Sequence, residues 1–170
     1  TGKRPSTYRV GERHNSDPPI TYKHPVESVS ALECDEVLRD AGLCLPTESQ
    51  WEYACGGGAS TFWFFGNDAK DLPIYGNCRD LCYVRSNSLV HTYVDGNDGY
   101  TFTAPVGSYT PNPFGLCDMV GNVGEWCRDY WVSYEDCRPA PGDGLRQGVV
   151  TPHSERIFRG GSFQENPFNH

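Results

Sequence analysis

The chain has 170 residues, 37% of them hydrophobic and 21% charged, with a formal net charge of −8 and a pI near 5.0. That is long enough for one domain with its own core, and too apolar for a disordered chain. The acidic balance argues against nucleic acid and anionic membrane, because the densest basic stretch (Lys3, Arg4, Arg9, Arg13) is diluted by Glu12 and Asp17.

Residues 1–23 read as an irregular N-terminal segment, broken by Pro5, Pro18 and Pro19. Order begins at Ser30-Ala31-Leu32-Glu33, a capping box in which hydroxyl and carboxylate each satisfy an orphan backbone N–H. Cys34, Val37, Leu38 and Ala41 follow at helical spacing, and Gly42 supplies the stop. A second box, Thr47-Glu48-Ser49-Gln50, opens a short helix through Trp51 and Ala54 that Gly56-Gly57-Gly58 ends. Beyond Cys55 helical periodicity is lost. The expected strands are brief: Thr101–Val106, Arg156–Arg159 and Ser162–Phe163. With 19 Gly and 13 Pro, the expectation is a loop-rich α+β domain. No run approaches the ~20 apolar residues of a membrane helix, so insertion into a bilayer is not expected.

Eight cysteines, at 34, 44, 55, 78, 82, 117, 127 and 137, are an even count in a loop-rich chain. That favours disulfides and an extracytoplasmic setting, secreted or periplasmic. Zinc lacks its spacing: there is no C-x-x-C, and no His stands at ligand distance from another. Gly56-Gly57-Gly58 lacks the Gly-Lys-Ser/Thr of a phosphate loop. Asp95-Gly96-Asn97-Asp98-Gly99 fails as an EF-hand, with its glycine one place early and Val106 where the twelfth-position Glu belongs. What remains is a density of Asn, Asp and Gly around Asn77 with Asp98, and along Asp118–Glu125. Such loops suit calcium, which takes six to eight hard oxygens, and they equally suit ordinary turns.

Several strings, in order, resemble the formylglycine-generating enzyme, or sulfatase-modifying factor, family. They include Leu45-Pro46-Thr47-Glu48-Ser49-Gln50-Trp51-Glu52-Tyr53-Ala54, Asp98-Gly99-Tyr100 and Ala104-Pro105-Val106-Gly107. Gly121-Asn122-Val123-Gly124-Glu125-Trp126 and Arg159-Gly160-Gly161-Ser162-Phe163 follow. The resemblance covers residues 24–170 and implies a loop-rich variant of the C-type lectin-like fold, braced by one or two calcium ions. It assigns one calcium to the side chains of Asn77 and Asp98 with the carbonyls of Cys78 and Tyr100. It assigns another to the side chains of Asp118 and Glu125 with the carbonyls of Gly121 and Val123. Catalytic members oxidise a substrate cysteine with O₂ and copper held by two cysteines; here those positions are Glu165 and His170. A carboxylate and an imidazole do not replace the soft thiolates that copper(I) prefers, so no copper is expected. Gly124 stands where relatives carry a large residue, and the family's partner for Cys55 is missing. The resemblance also implies a domain truncated at both ends, with an incomplete C-terminus.

The function expected is therefore a calcium-stabilised, catalytically silent domain. It would bind a protein or glycan, or serve in a larger assembly or beside a partner chain that completes the fold. The alternative is an oxidoreductase of the family, formylglycine-generating or an iron-dependent sulfoxide-type oxidase, with its catalytic part outside this chain.

Overall fold

The computed structural model describes residues 5–14, 17–87, 92–151 and 153–166. Helix α1 (Ala31–Asp40) starts where the first capping box places it, with the Ser30 hydroxyl and Glu33 carboxylate making the reciprocal bonds. Gly42 ends it at φ 72°. Its buried side differs from the one expected. Ala31 is buried and Cys34 and Leu38 half-buried, while Val37 and Ala41 face solvent. Helix α2 (Glu48–Gly56) follows its own box, in which Thr47 and Gln50 exchange bonds of 3.0 and 3.2 Å.

Two short helices escape a reading of the sequence: α3 (Leu72–Tyr75) and α4 (Leu81–Ser86). Each is too short to show a period. Asp80 caps α4, accepting from Cys82 N at 2.7 Å and Tyr83 N at 3.3 Å. The expected strand Arg156–Arg159 is present as β2, paired antiparallel with β1 (Glu125–Tyr130), which was not expected. Strand β1 buries Cys127 and Asp129 on one face. A buried aspartate breaks the apolar alternation by which a strand is recognised.

Thr101–Val106 and Ser162–Phe163 are not strands. Their backbone donors go elsewhere. Thr101 N and Phe102 N donate to the Asp17 carboxylate, Ala104 N to Asn122 Oδ1, and Phe163 N to Asn122 O. Side chains and loops take the bonds that a ladder would have used.

The chain divides into two compact units. The first holds Thr1–Ser28, Cys55–Gly124 and Gly160–His170; the second holds Val29–Ala54 and Glu125–Arg159. In the first, Leu72, Cys78, Val94 and Val120 are buried, with Trp63, Phe64, Phe65 and Ala69 packed on them. Phe65 stacks on Tyr75 with ring centroids 4.3 Å apart. In the second, the core is ionic as well as apolar. The Glu48 carboxylate pairs with Arg146 and Arg159 and accepts the Tyr134 hydroxyl at 3.0 Å, with only 3% of its side chain exposed. Asp129 receives Glu48 N and Arg146 N, each at 2.8 Å. Arg146 lies 4.1 Å above the Tyr134 ring.

No disulfide joins any of the eight cysteines in this structure, against the expectation drawn from their even count. Burial pushes the Cys127 thiol up to about 12 and raises that of Cys78 as well, whereas Cys44 and Cys117 are exposed. A buried thiol far from ionisation is inert. Native protein kept from reductant should therefore be alkylated at Cys44 and Cys117 and protected at Cys78 and Cys127, read by mass spectrometry before and after unfolding. Early modification of Cys127, or disulfide-linked peptides in the digest, would contradict this assignment of free thiols.

The ion pairs divide by burial. Arg146→Ala leaves a buried carboxylate short of a partner and should cost about 3 kcal/mol in denaturant unfolding. Arg128→Ala removes a pair with Asp143 that solvent screens on both sides and should cost far less than Arg146→Ala. Equal losses would show that burial does not set the worth of these pairs.

Candidate calcium sites

In the first unit the chain crosses itself at two glycines. Gly76 lies against Val120 O, and Gly121, at φ 75°, lies against Asn77 O; a Cβ at either place would collide with backbone. The approach lets Asn122 N donate to Asn77 O at 2.7 Å, next to the bridge between Asn77 and Gly121. Asn77 is fully buried. Its Nδ2 donates to Phe102 O at 2.6 Å and to Asn122 Oδ1 at 3.2 Å, so both amide hydrogens are committed. Its Oδ1 is buried without a hydrogen-bond partner.

Asp98 sits in the loop after α4. Its carboxylate accepts Cys78 N at 2.8 Å and Tyr100 N at 2.9 Å, and its own N–H donates to Asp80 at 2.6 Å. The Asp98 carboxyl is pushed up to about 7, by burial first and by the charge of Asp80 second. The structure thus brings Asp98 to Cys78 and Tyr100, the residues whose carbonyls complete the first expected set. An orphaned amide oxygen and a buried carboxylate with a like-charged neighbour suit a hard cation. The ion would supply the missing partner and favour the charged carboxylate.

The second expected set is distributed differently. Asp118, Gly121 and Val123 belong to the first unit and Glu125 to the second. Asp118 has φ 58°, its Oδ2 accepts Gly107 N at 2.7 Å, and its Oδ1 is buried without a hydrogen-bond partner. Glu125 opens β1, and its Oε2 accepts Trp51 Nε1 at 2.6 Å. Among the described residues no three His, Cys, Asp or Glu side chains converge on a metal position. The two expected sets each combine at most two carboxylates with amide or main-chain oxygens. Glu165 is half-buried and its N–H donates to Ser162 O at 3.1 Å, while His170 lies outside the described residues.

Three buried residues tie the first site together without standing out in the sequence. Asp17 takes three bonds from Thr101 and Phe102, Asp80 holds Asp98, and Asn122 joins Asn77 to Ala104. The partners of Asp17 are 84 and 85 positions away, so no local pattern marks it. Asp80 could have been found as a helix cap, and Asn122 stands inside a recognised string.

The family described as "Sulfatase-modifying factor enzyme 1-like domain" matches residues 3–170. This chain belongs to that family. It is 36% identical to a formylglycine-generating enzyme of Streptomyces coelicolor over 161 residues, covering 92% of this chain and 47% of the relative. It is 34% identical over 142 residues to the one from Thermomonospora curvata, covering 82% and 45%. The chain therefore spans under half the length of these relatives. PvdO from Pseudomonas aeruginosa superposes with a TM-score of 0.61 at 27% identity, over 95% of this chain and 60% of that one. The fold is the loop-rich, C-type lectin-like variant expected of the family, with short helices and a two-stranded sheet.

If calcium occupies the Asn77–Asp98 site, it stabilises the native state by RT ln(1 + [L]/Kd), about 2.7 kcal/mol at a hundredfold excess over Kd. Adding calcium to chelator-treated protein should raise the melting temperature by several degrees, and Asn77→Leu should abolish that part of the response. A melting curve indifferent to calcium in a demonstrably metal-free sample would reduce the site to turn chemistry.

Proposed function

We propose that this chain is a calcium-stabilised domain of its family that works by binding or scaffolding, without the family's copper-dependent oxidation. The observation that carries the reading is the donor set after Gly160-Gly161-Ser162. Glu165 stands where catalytic members place one copper thiolate, and His170 where they place the other. Copper(I) favours two soft sulfurs, and a carboxylate with an imidazole is a hard and a borderline donor. The residues do not fit the metal.

Calcium is a different matter: the orphaned Asn77 Oδ1 and the buried Asp98 carboxylate support it. Asn77 and Asp98, with the carbonyls of Cys78 and Tyr100, would hold one ion, whose charge would brace loops that have little regular structure. Asp118 presents a further buried oxygen. The setting proposed is extracytoplasmic, where calcium would keep even sites with a Kd of ~10⁻⁴ M occupied. The partner proposed is a protein or glycan, alone or within an assembly.

A second reading is favoured by one finding: the matched relatives are themselves named formylglycine-generating enzymes, at 34% and 36% identity. In that reading the chain is the scaffold of an oxidoreductase whose reactive residues lie elsewhere.

An aldehyde assay separates the two. The chain, supplied with copper and O₂, is incubated with a cysteine peptide of sulfatase type and probed with a hydrazide. No labelling above a copper-only control is expected. Labelling that depends on the protein would establish the second reading and overturn the first.

A further inference from the structure

Asp17 lies in the N-terminal segment and is only 9% exposed. Its Oδ2 accepts Thr101 N at 2.8 Å and Phe102 N at 3.3 Å, and its Oδ1 accepts the Thr101 hydroxyl at 2.9 Å. The N–H of Thr101 belongs to the same peptide unit as the Tyr100 carbonyl. That unit is planar and trans, so its N–H and C=O point in opposite directions. Anchoring the N–H on Asp17 aims the Tyr100 oxygen away from Asp17. Donation to a carboxylate also polarises the peptide, which leaves more negative charge on that oxygen.

Phe102 carries the effect to a second ligand. Its N–H is held by Asp17, and its carbonyl accepts Asn77 Nδ2 at 2.6 Å. With the other Asn77 amide hydrogen on Asn122, the amide plane is fixed and its orphaned Oδ1 is left free to meet a cation. One carboxylate therefore sets the orientation of two ligand oxygens that it does not touch.

The same carboxylate anchors the segment that bears it. Gly11 and Ile20 are linked by a 2.8 Å bond, Ile20 is buried, and the Tyr8 ring lies 5.0 Å from that of Phe102. We infer that Asp17 is a positioning residue of the Asn77–Asp98 cation site and couples docking of the N-terminal segment to the ion. The inference rests on the calcium reading above. Coupling is reciprocal: if Asp17 raises calcium affinity, calcium must tighten the segment by the same factor. A residue that merely fastened the segment would not show this.

Calcium titration by calorimetry, with hydrogen exchange over residues 5–28, tests it on wild type, Asp17→Asn and Thr101→Val. Asp17→Asn should weaken calcium binding at least ~10-fold, the usual effect of losing a group that orients a metal ligand. Thr101→Val deletes one bond, keeps the peptide anchor, and should weaken binding less. Calcium should slow exchange at Tyr8–Ile20 in wild type and not in Asp17→Asn. Should Asp17→Asn fail to fold, Thr101→Val and the wild-type exchange carry the test. Wild-type affinity in folded variants, with exchange indifferent to calcium, would overturn the inference and leave the calcium reading intact. Absence of binding in wild type at on the order of 1 mM calcium would overturn the calcium reading itself.

Discussion

One buried asparagine holds the first unit together. Asn122 sits at φ 64°, a left-handed conformation that Asn tolerates better than most residues. From there its N–H reaches Asn77 O, its carbonyl takes Phe163 N, and its side chain pairs both polar groups of Ala104. Its Oδ1 also takes Asn77 Nδ2. Four separate stretches of chain are joined at one residue that is 2% exposed. A fold without long strands has no ladder to satisfy buried backbone groups, and leaving one unmet costs about 1–3 kcal/mol. The glycines at 76 and 121 follow from this, since the strands of chain must approach closely enough to be bonded.

The second unit solves a similar problem with charge. Glu48 belongs to the string that opens α2, and Arg159 to the one that ends β2; the buried Glu48 carboxylate meets Arg146, also buried, Arg159 and the exposed Tyr134. Removing two ions from water is costly, and their attraction offsets that cost only where every remaining donor and acceptor is met. Here Asp129 meets the backbone N–H groups of Glu48 and Arg146, and Val132 O takes an Arg146 hydrogen at 3.0 Å. The strings that identify the family in sequence are thus largely the parts that hold its fold.

That explains which features were legible. The two helix starts were readable because a capping box is a local device, with donor and acceptor three residues apart. Strand β2 was readable from Ile157 and Phe158 between arginines. Strand β1 was not, because its buried face carries Asp129, whose value depends on residues of α2 and on Arg146. Thr101–Val106 reads as a strand because its residue types suit one, yet its bonding is decided by Asp17 and Asn122. Residue type reports local preference, and tertiary partners override it. The calcium set expected at Asn77 and Asp98 came through resemblance, since Asn, Asp and Gly crowd turns whether or not an ion is present.

The distribution of change along the chain bears on function for the same physical reason. The residues that fasten the loops are all present: Asn77, Asn122, Glu48, Arg159 and Trp126, whose indole donates to Val29 O at 2.9 Å. On the proposed reading, the departure from the catalytic pattern falls at Glu165, whose side chain takes no part in that fastening. A scaffold of this kind tolerates replacement of its reactive groups, because Glu165 enters the fold through its backbone, by the N–H that reaches Ser162 O. On the same reading, a carboxylate in place of a thiolate there would forgo copper chemistry and leave the loop geometry in place. A change at Asn122 would do the reverse. Fold and chemistry are carried by different residues, so membership of the family establishes the first without establishing the second.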